Sequence, residues 1–459
     1  MRLAFFSPFN PLKTGVADYS EELLPHLSAH AEVDLVTGGY TLANKEIRDR
    51  YRILSPEEFL ASAGRYDMAV YQLANNVEQH GYMAPCMKRA PGIAVLHDYY
   101  LHYLMLGLTL LKGDIRTLRR IFAARYGGSG SALAHRVLFG MFDPYQVSTV
   151  LPLVEMSRGV IMHNAFGESL VSADAGGRPV RVIPMGIPIR PLLDQAALKR
   201  KYGYEPDDFV LASVSTLSHT KRTKAILPAL KRLWRKHPRL HFLILGGGKL
   251  PRETRHEIEV LNDRGRIRMP GWLAAEEYWE CLNLADAAID LRYPSGAETS
   301  ASLLRAMSAG KPLIVSRQGS FLELPDECAW KTPVDNTEES TLCEYLTAML
   351  ECPPLVSRMG AAARRQAETS HRLELAADAY LRFIREVADS AVRAPSEDWF
   401  DAPPSRLSGA AYATLYKASR AVALLRNYGI GETLRRIRTA PEQAGAPGTA
   451  DEARFRGVA

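Results

Sequence analysis

The strongest constraint in this chain is an alternation, met twice, of short apolar runs with longer amphipathic segments. "RLAFF" at 2–6, "EVDLVT" at 32–37, "DMAVYQL" at 67–73, "GIAVLHD" at 92–98, "GVIMHN" at 159–164 and "RVIPMG" at 181–186 are short, rich in β-branched or aromatic residues and bounded by turn formers. A continuous apolar run of this length is what a parallel strand buried on both faces requires. Strands of this kind alternating with helices make a doubly wound α/β sheet. After "PMGIPIRP" the pattern restarts with "FVLASVS", "LHFLILGGG", "IRMPGW", "AAIDL" and "PLIVS". A second parallel sheet is therefore expected, and 459 residues are too many for one ordinary core.

The expected organisation is an N-terminal Rossmann-like domain at 1–187 and a C-terminal one at 188–375, with a closing helix at 376–395 and a partly helical basic tail at 396–459. Pro184 to Pro191 supply linker residues, and the prolines of "APSEDWFDAPPSRLSG" break the chain after the closing helix. Between "AVLHD" and "GVIMH" the segment at about 99–158 is longer than a crossover needs and reads as a helical insertion. The Gly-, Ala- and Pro-rich end of the chain reads as disordered.

Fifty-seven Lys and Arg against 51 Asp and Glu leave a net charge of +6, mild for this length. It is compatible with phosphate-bearing substrates or an anionic membrane face and does not call for nucleic acid. The five cysteines are scattered without metal-ligand spacing, so they read as reduced thiols, and no metal is expected. The opening "MRLAFFSPFN" reads as a strand rather than a leader, which points to a cytoplasmic location. The apolar stretch from Tyr99 to Leu111 carries His102 and is shorter than the ~20 residues of a spanning helix, leaving at most a peripheral contact with the inner face of the membrane.

Doubly wound sheets bind ligands beyond the carboxyl ends of their strands, and two such domains facing each other would offer a cleft. Gly15, in the loop "SPFNPLKTGVADYS", could bring backbone close to a phosphate or acceptor, or could serve the loop's own conformation. Lys221 and Arg222 end "VSTLSHTKR", where cations oppose a helix dipole unless they meet an anion such as a diphosphate. In "YPSGAETSASLLRAMSAGKPLIVS" the hydroxyl of Thr299 or Ser300 could cap the following helix, leaving the N–H groups of Ala301 and Ser302 to face a phosphate. Glu298 beside them either accepts from sugar or ribose hydroxyls or simply suits the helix dipole. His97 and Asp98 lie just past a strand, where they could meet a substrate, although a histidine there also serves as a structural residue; His163 in "IMHN" repeats the placement. Gly246, Gly247 and Gly248 lack dinucleotide spacing and read as a tight turn.

The ordered set "PLKTGVADYSEELLPHL", "VLHDYYLH", "VIMHN", "VIPMGIP", "STLSHTKR" and "GAETSASLLRAMSAGKPLIVS" resembles the retaining glycosyltransferases of the GT-B fold, in particular family 4, over about 1–387. The resemblance implies that the C-terminal half holds a nucleoside-diphosphate sugar without a metal or other cofactor. It implies that Lys221 contacts the diphosphate, with Arg222 able to add a second contact. Glu298 would reach the donor, and Gly15 and His97 would lie near a glycan or lipid-linked acceptor. The implied activity is hexose transfer in bacterial polysaccharide synthesis, with GDP-mannose as the first candidate donor. The chain departs from the pattern in two places. Arg305 in "LLRAMS" stands where the family carries a second glutamate, and Thr216 stands where an arginine usually precedes the lysine. Glu298 is seven residues before Arg305, one short of the family spacing. A nucleotide-sugar epimerase and a non-catalytic nucleotide-sugar-binding protein are the alternatives.

Overall fold

The computed structural model describes residues 1–139, 141, 143–215, 217, 219–247, 252–262, 264–390, 393–400, 411–412, 414–419, 421–422 and 425. The chain forms two compact units. The first contains Met1–Ile183, Gly296–Glu298 and the described residues from Ala377 onward; the second contains Pro184–Ser295 and Thr299–Ala376. Both are Rossmann-like α/β units.

In the first unit the strands are β1 (Arg2–Phe6), β2 (Glu32–Val36), β3 (Ile53–Leu54), β4 (Met68–Leu73), β5 (Ile93–Leu96), β6 (Gly159–Met162) and β7 (Val180–Val182). They form a parallel sheet in the order β3-β2-β1-β4-β5-β6-β7. Every residue of β4, β5 and β6 is buried, as the unbroken apolar runs required. The two-residue β3 had no apolar run long enough to announce it. Winding reverses between β1 and β4, which opens a crevice at the carboxyl ends of those strands.

The insertion after β5 contains helices His102–Leu108, Ile115–Tyr126, Gly130–Leu138 and Leu151–Glu155. Leu106, Leu110, Leu118, Phe122, Val137 and Tyr416 form a small core of their own there. The stretch leading to Phe400 is tied to this region by buried donors and acceptors. Glu155 Oε2 accepts from Ser396 N, Ser396 Oγ and Trp399 Nε1 at 3.1, 2.9 and 2.8 Å. Arg178 donates to the carbonyls of Ser157, Glu155, Arg393 and Ala394. Trp399 is 1% exposed.

The second unit contains β8 (Phe209–Ser213), β9 (Leu240–Leu245), β10 (Ile267–Gly271), β11 (Ala287–Asp290), β12 (Leu313–Ser316) and β13 (Ala329–Thr332), in the order β10-β9-β8-β11-β12-β13. The strand β13, "AWKT", is mixed in polarity because it sits at the edge of the sheet, and periodicity alone did not reveal it. Here winding reverses between β8 and β11. After β8 the chain forms a 3-10 turn at Thr223–Ile226 and an α-helix at Leu227–Leu233, with Pro228 in the first turn of the latter. The closing helix spans Leu373–Ala388, and its residues from Ala377 on belong to the first unit. A Cβ at Gly159 would lie 3.0 Å from the Phe383 ring, so glycine in β6 is what lets this helix approach. All five cysteines are unpaired. No helix among the described residues is long and apolar enough to cross a membrane.

Candidate functional site

At the carboxyl edge of the first sheet, register brings two histidines together. Leu73 lies opposite Leu96, and Leu96 opposite Met162, so His97 and His163, each one residue further on, are neighbours. Their ring centroids are 4.9 Å apart, and Tyr19 meets each edge-on at 5.6 and 5.4 Å. His97 Nε2 donates to Gln72 Oε1 at 2.7 Å, because a carboxamide oxygen can only accept. His163 Nδ1 donates to the Ile183 carbonyl at 2.8 Å, which leaves its Nε2 as a buried acceptor without a partner. Burial holds His163 at about 4, and burial together with His163 and His80 pushes His97 well below the ordinary imidazole value. Both rings are neutral at neutral pH. With its proton on Nε2, His97 carries a lone pair on Nδ1 and can accept from a hydroxyl.

Glu298 belongs to this first unit, not to the C-terminal half in which its sequence position placed it. Tyr99 N donates to Gly296 O at 2.8 Å and Asn164 Nδ2 to Ala297 O at 2.8 Å, which fastens the 296–298 segment beside the residues that follow β5 and β6. Ala297 is fully buried with φ of 63°, a conformation that costs a non-glycine residue and persists because these bonds impose it. Glu298 Oε2 accepts from Gly296 N at 2.6 Å. Asp98 Oδ2 accepts from Asn75 N at 3.1 Å. Gly15 opens the helix Gly15–Leu27, with Thr14 Oγ1 capping Ala17 N at 3.1 Å. A Cβ at Gly15 would meet no atom within 4 Å, and its φ is not positive, so neither packing nor backbone strain requires glycine there.

In the second unit the winding reversal between β8 and β11 gathers the other expected residues. Asp290 ends β11 and is fully buried. Ser300 Oγ donates to its Oδ2 at 2.8 Å and Arg292 Nη2 to the same oxygen at 2.9 Å. Burial raises the Asp290 carboxyl, but Arg292, Lys221 and the hydroxyls of Ser300 and Ser215 outweigh it and hold the group below the usual carboxylate value. Ser300 and Arg292 thus share one carboxylate at one edge of the sheet, within the electrostatic reach of Lys221.

Two expectations are corrected in detail. Ser300 does occupy the N-cap position of the helix Ala301–Ser308, but its hydroxyl is spent on Asp290 and makes no capping bond. No hydroxyl of Ser300 competes for the N–H groups of that first turn, so they remain suited to an anion. Arg222 is engaged by Glu338, Nη1 to Oε1 at 2.6 Å and Nη2 to Oε2 at 2.7 Å, which takes its outer nitrogens away from a diphosphate. At the glycine run after β9, Gly246 has a φ of 140° and a Cβ at Gly247 would lie 2.9 Å from the Trp272 ring. Thr216 and Gly248 lie outside the described residues. Thr299 precedes the cap, and Ser302 and Arg305 both act on Tyr278, one from a hydroxyl and the other through its charge. The sequence reading did not select Asp290 and Arg292. Their signal was present, since "AAIDLRYP" sets an acid and a base at the end of an otherwise apolar strand.

Comparison with known proteins bears on these units in turn. Residues 194–366 match the family described as Glycosyl transferases group 1, so the second unit contains a glycosyltransferase group 1 domain. Over 218 residues the chain is 22% identical to EpsD of Bacillus subtilis (strain 168), which carries the provisional name of a glycosyltransferase; the match covers 46% of this chain and 56% of EpsD. The chain thus spans little more than half the length of that curated relative. Among solved structures, HepE of Anabaena, in complex with UDP and glucose, aligns with a TM-score of 0.60 at 16% identity over 84% of this chain and 100% of HepE. A glycosyltransferase from Rickettsia africae aligns with a TM-score of 0.63 at 13% identity over 85% of this chain and 99% of its own. The sucrose-phosphate synthase of Thermosynechococcus elongatus gives 0.62 at 15% identity over 84% and 99%. The two units have the GT-B fold.

Proposed function

We propose that the protein is a retaining, metal-independent glycosyltransferase that moves a hexose from a nucleoside-diphosphate sugar to a glycan or lipid-linked acceptor in bacterial polysaccharide synthesis. The observation that carries this reading is the bonding of Arg292 and Ser300 to the Asp290 carboxylate, within the electrostatic reach of Lys221, at the winding reversal of the second sheet, in the unit that contains the group 1 domain. Departure of a sugar from a diphosphate builds negative charge on the leaving oxygen, and fixed cations and oriented amides placed before the reaction stabilise that charge most effectively. In this reading the Lys221 ammonium and the first-turn amides at Ala301 and Ser302 receive the diphosphate.

The first unit supplies the hydroxyl-handling groups. His97, neutral and oriented by Gln72, accepts from a sugar or acceptor hydroxyl, and Glu298, held by Gly296 N, is an acceptor-only carboxylate in the same unit. The open space at Gly15 leaves room for a ligand against backbone. The location proposed is cytoplasmic, with the insertion after β5 as the surface that would meet a lipid-linked acceptor.

The test is a panel of UDP-, GDP-, ADP- and TDP-sugars scored by thermal stabilisation, because a ligand that binds only the folded state raises stability by RT ln(1 + [L]/Kd). HepE was solved with UDP and glucose, so UDP-glucose joins GDP-mannose at the head of the panel. Transfer from the donor that scores, with the anomeric configuration of the product read by NMR, establishes the reaction. Inversion at the anomeric carbon would overturn retention, and binding without transfer to any glycan or lipid-linked acceptor would favour the non-catalytic alternative.

A further inference from the structure

The carboxylate at the centre of the second-unit site needs an explanation that stability does not supply. Asp290 is the last residue of a strand whose other members, Ala287, Ala288 and Ile289, are apolar and buried. Val315, its register partner on β12, is apolar as well. Burying an ionised carboxylate against Arg292 carries desolvation costs that an apolar residue of similar size avoids. The Arg292 side chain, 4% exposed and lying over the Phe321 ring, is equally removed from water. A carboxylate also repels the anion that the surrounding cations attract. Lys221 and Arg292 together carry a charge of +2, and Asp290 reduces it to +1, by 2 − 1 = 1.

We infer that Asp290 acts as a built-in counter-charge to Arg292 and Lys221 at the anion site, setting the affinity for the nucleoside diphosphate low enough for it to leave after transfer. The inference rests on the proposed function, which makes a nucleoside diphosphate the ligand and the product. The leaving group that the cations stabilise in the transition state is also what must dissociate in each turnover, and a site with the full +2 would retain it. Ser300 links the counter-charge to the ligand directly. Its hydroxyl is held on Asp290, while its backbone begins the helix Ala301–Ser308, whose first-turn amides the proposed function assigns to the anion.

The experiment is a charge cycle read by calorimetric titration of UDP, GDP, ADP and TDP into the intact protein. Asp290→Asn keeps the shape of the side chain and an acceptor for Ser300 while removing the charge. It is expected to bind the diphosphate roughly tenfold more tightly than wild type, with a steeper salt dependence and a lower kcat limited by product release. Arg292→Gln is expected to bind roughly tenfold more weakly. The double variant restores the wild-type charge and is expected to return to within about threefold of wild-type affinity, and it tests the idea even if Asp290→Asn alone does not fold. Affinities that fall in all three variants, or stay level in all three, while the wild type binds, would overturn the counter-charge and leave the proposed function standing. A wild type that binds none of the four diphosphates would overturn the proposed function, and this inference with it.

Discussion

Arg222 and Glu338 form two parallel hydrogen bonds, 2.6 and 2.7 Å long, with Arg222 in a left-handed backbone conformation at φ 45° and Glu338 only 6% exposed. The pair joins the loop after β8 to the start of the helix Glu338–Glu351. Arg222→Ala would leave a buried carboxylate without its partner. The expected loss is about 2–3 kcal/mol, below the range for a fully buried pair because the arginine is partly exposed. Urea unfolding checks it, and the affinity for the donor is expected to stay within about threefold.

Lys221 behaves in the opposite way. Lys221→Ala removes the charge beside Asp290 that would face a diphosphate. Donor affinity is expected to fall at least about tenfold, the size of a lost charge-assisted contact. The thermal stabilisation by saturating donor would shrink accordingly. Unchanged donor binding in this variant would contradict the assignment of the second-unit site.

Gly15→Ala separates ligand demands from structural ones. With no atom within 4 Å of the added Cβ and no positive φ, the substitution is expected to leave stability unchanged or raise it by up to about 1 kcal/mol. Under the proposed function turnover is expected to fall, since the methyl group would occupy the space assigned to a ligand. Thermal unfolding and initial rates measured on the same preparation check both halves of the statement.

Glu155 anchors the segment after the closing helix through one oxygen that accepts three bonds. Glu155→Ala leaves the buried Trp399 N–H and the Ser396 donors unmatched, at a cost of about 2–3 kcal/mol. Glu155→Gln retains an acceptor oxygen and is expected to lose less. The difference between the two in urea midpoint, together with Trp399 fluorescence, reads the anchor.

Acid should destabilise the fold well above the carboxylate range. His80 and His163 are held at about 4 by burial, against about 6.5 when unfolded. The unfolded chain therefore binds more protons between those values, and stability falls as pH is lowered through that window. The contribution is complete above about pH 6.5 and is gone below about pH 4. By pH 5 each histidine is expected to have withdrawn about 2 kcal/mol. Urea midpoints at pH 7 and pH 5 measure the sum, and His163→Gln should reduce the slope.

Both doubly wound sheets were legible because an unbroken apolar run such as "VLAS" or "LIVS" has few places to go other than the interior of a layered fold. Lys221 and Ser300 could be singled out for a local reason: cations and hydroxyls at the mouth of a helix carry a chemical cue that needs no tertiary partner. The sequence could not assign partners, because a side chain's partner is set by strand order and register. Arg222 looked like a diphosphate ligand until folding brought Glu338, 116 residues away, against it. Ser300 looked like a helix cap until β11 delivered Asp290 to its hydroxyl. Glu298 was read with the residues on either side of it, yet Gly296–Glu298 folds with the first unit because Tyr99 and Asn164 take its backbone carbonyls. Local chemistry follows from residue type and spacing alone. Which charge meets which depends on contacts between segments far apart in the chain, and only the folded molecule decides those.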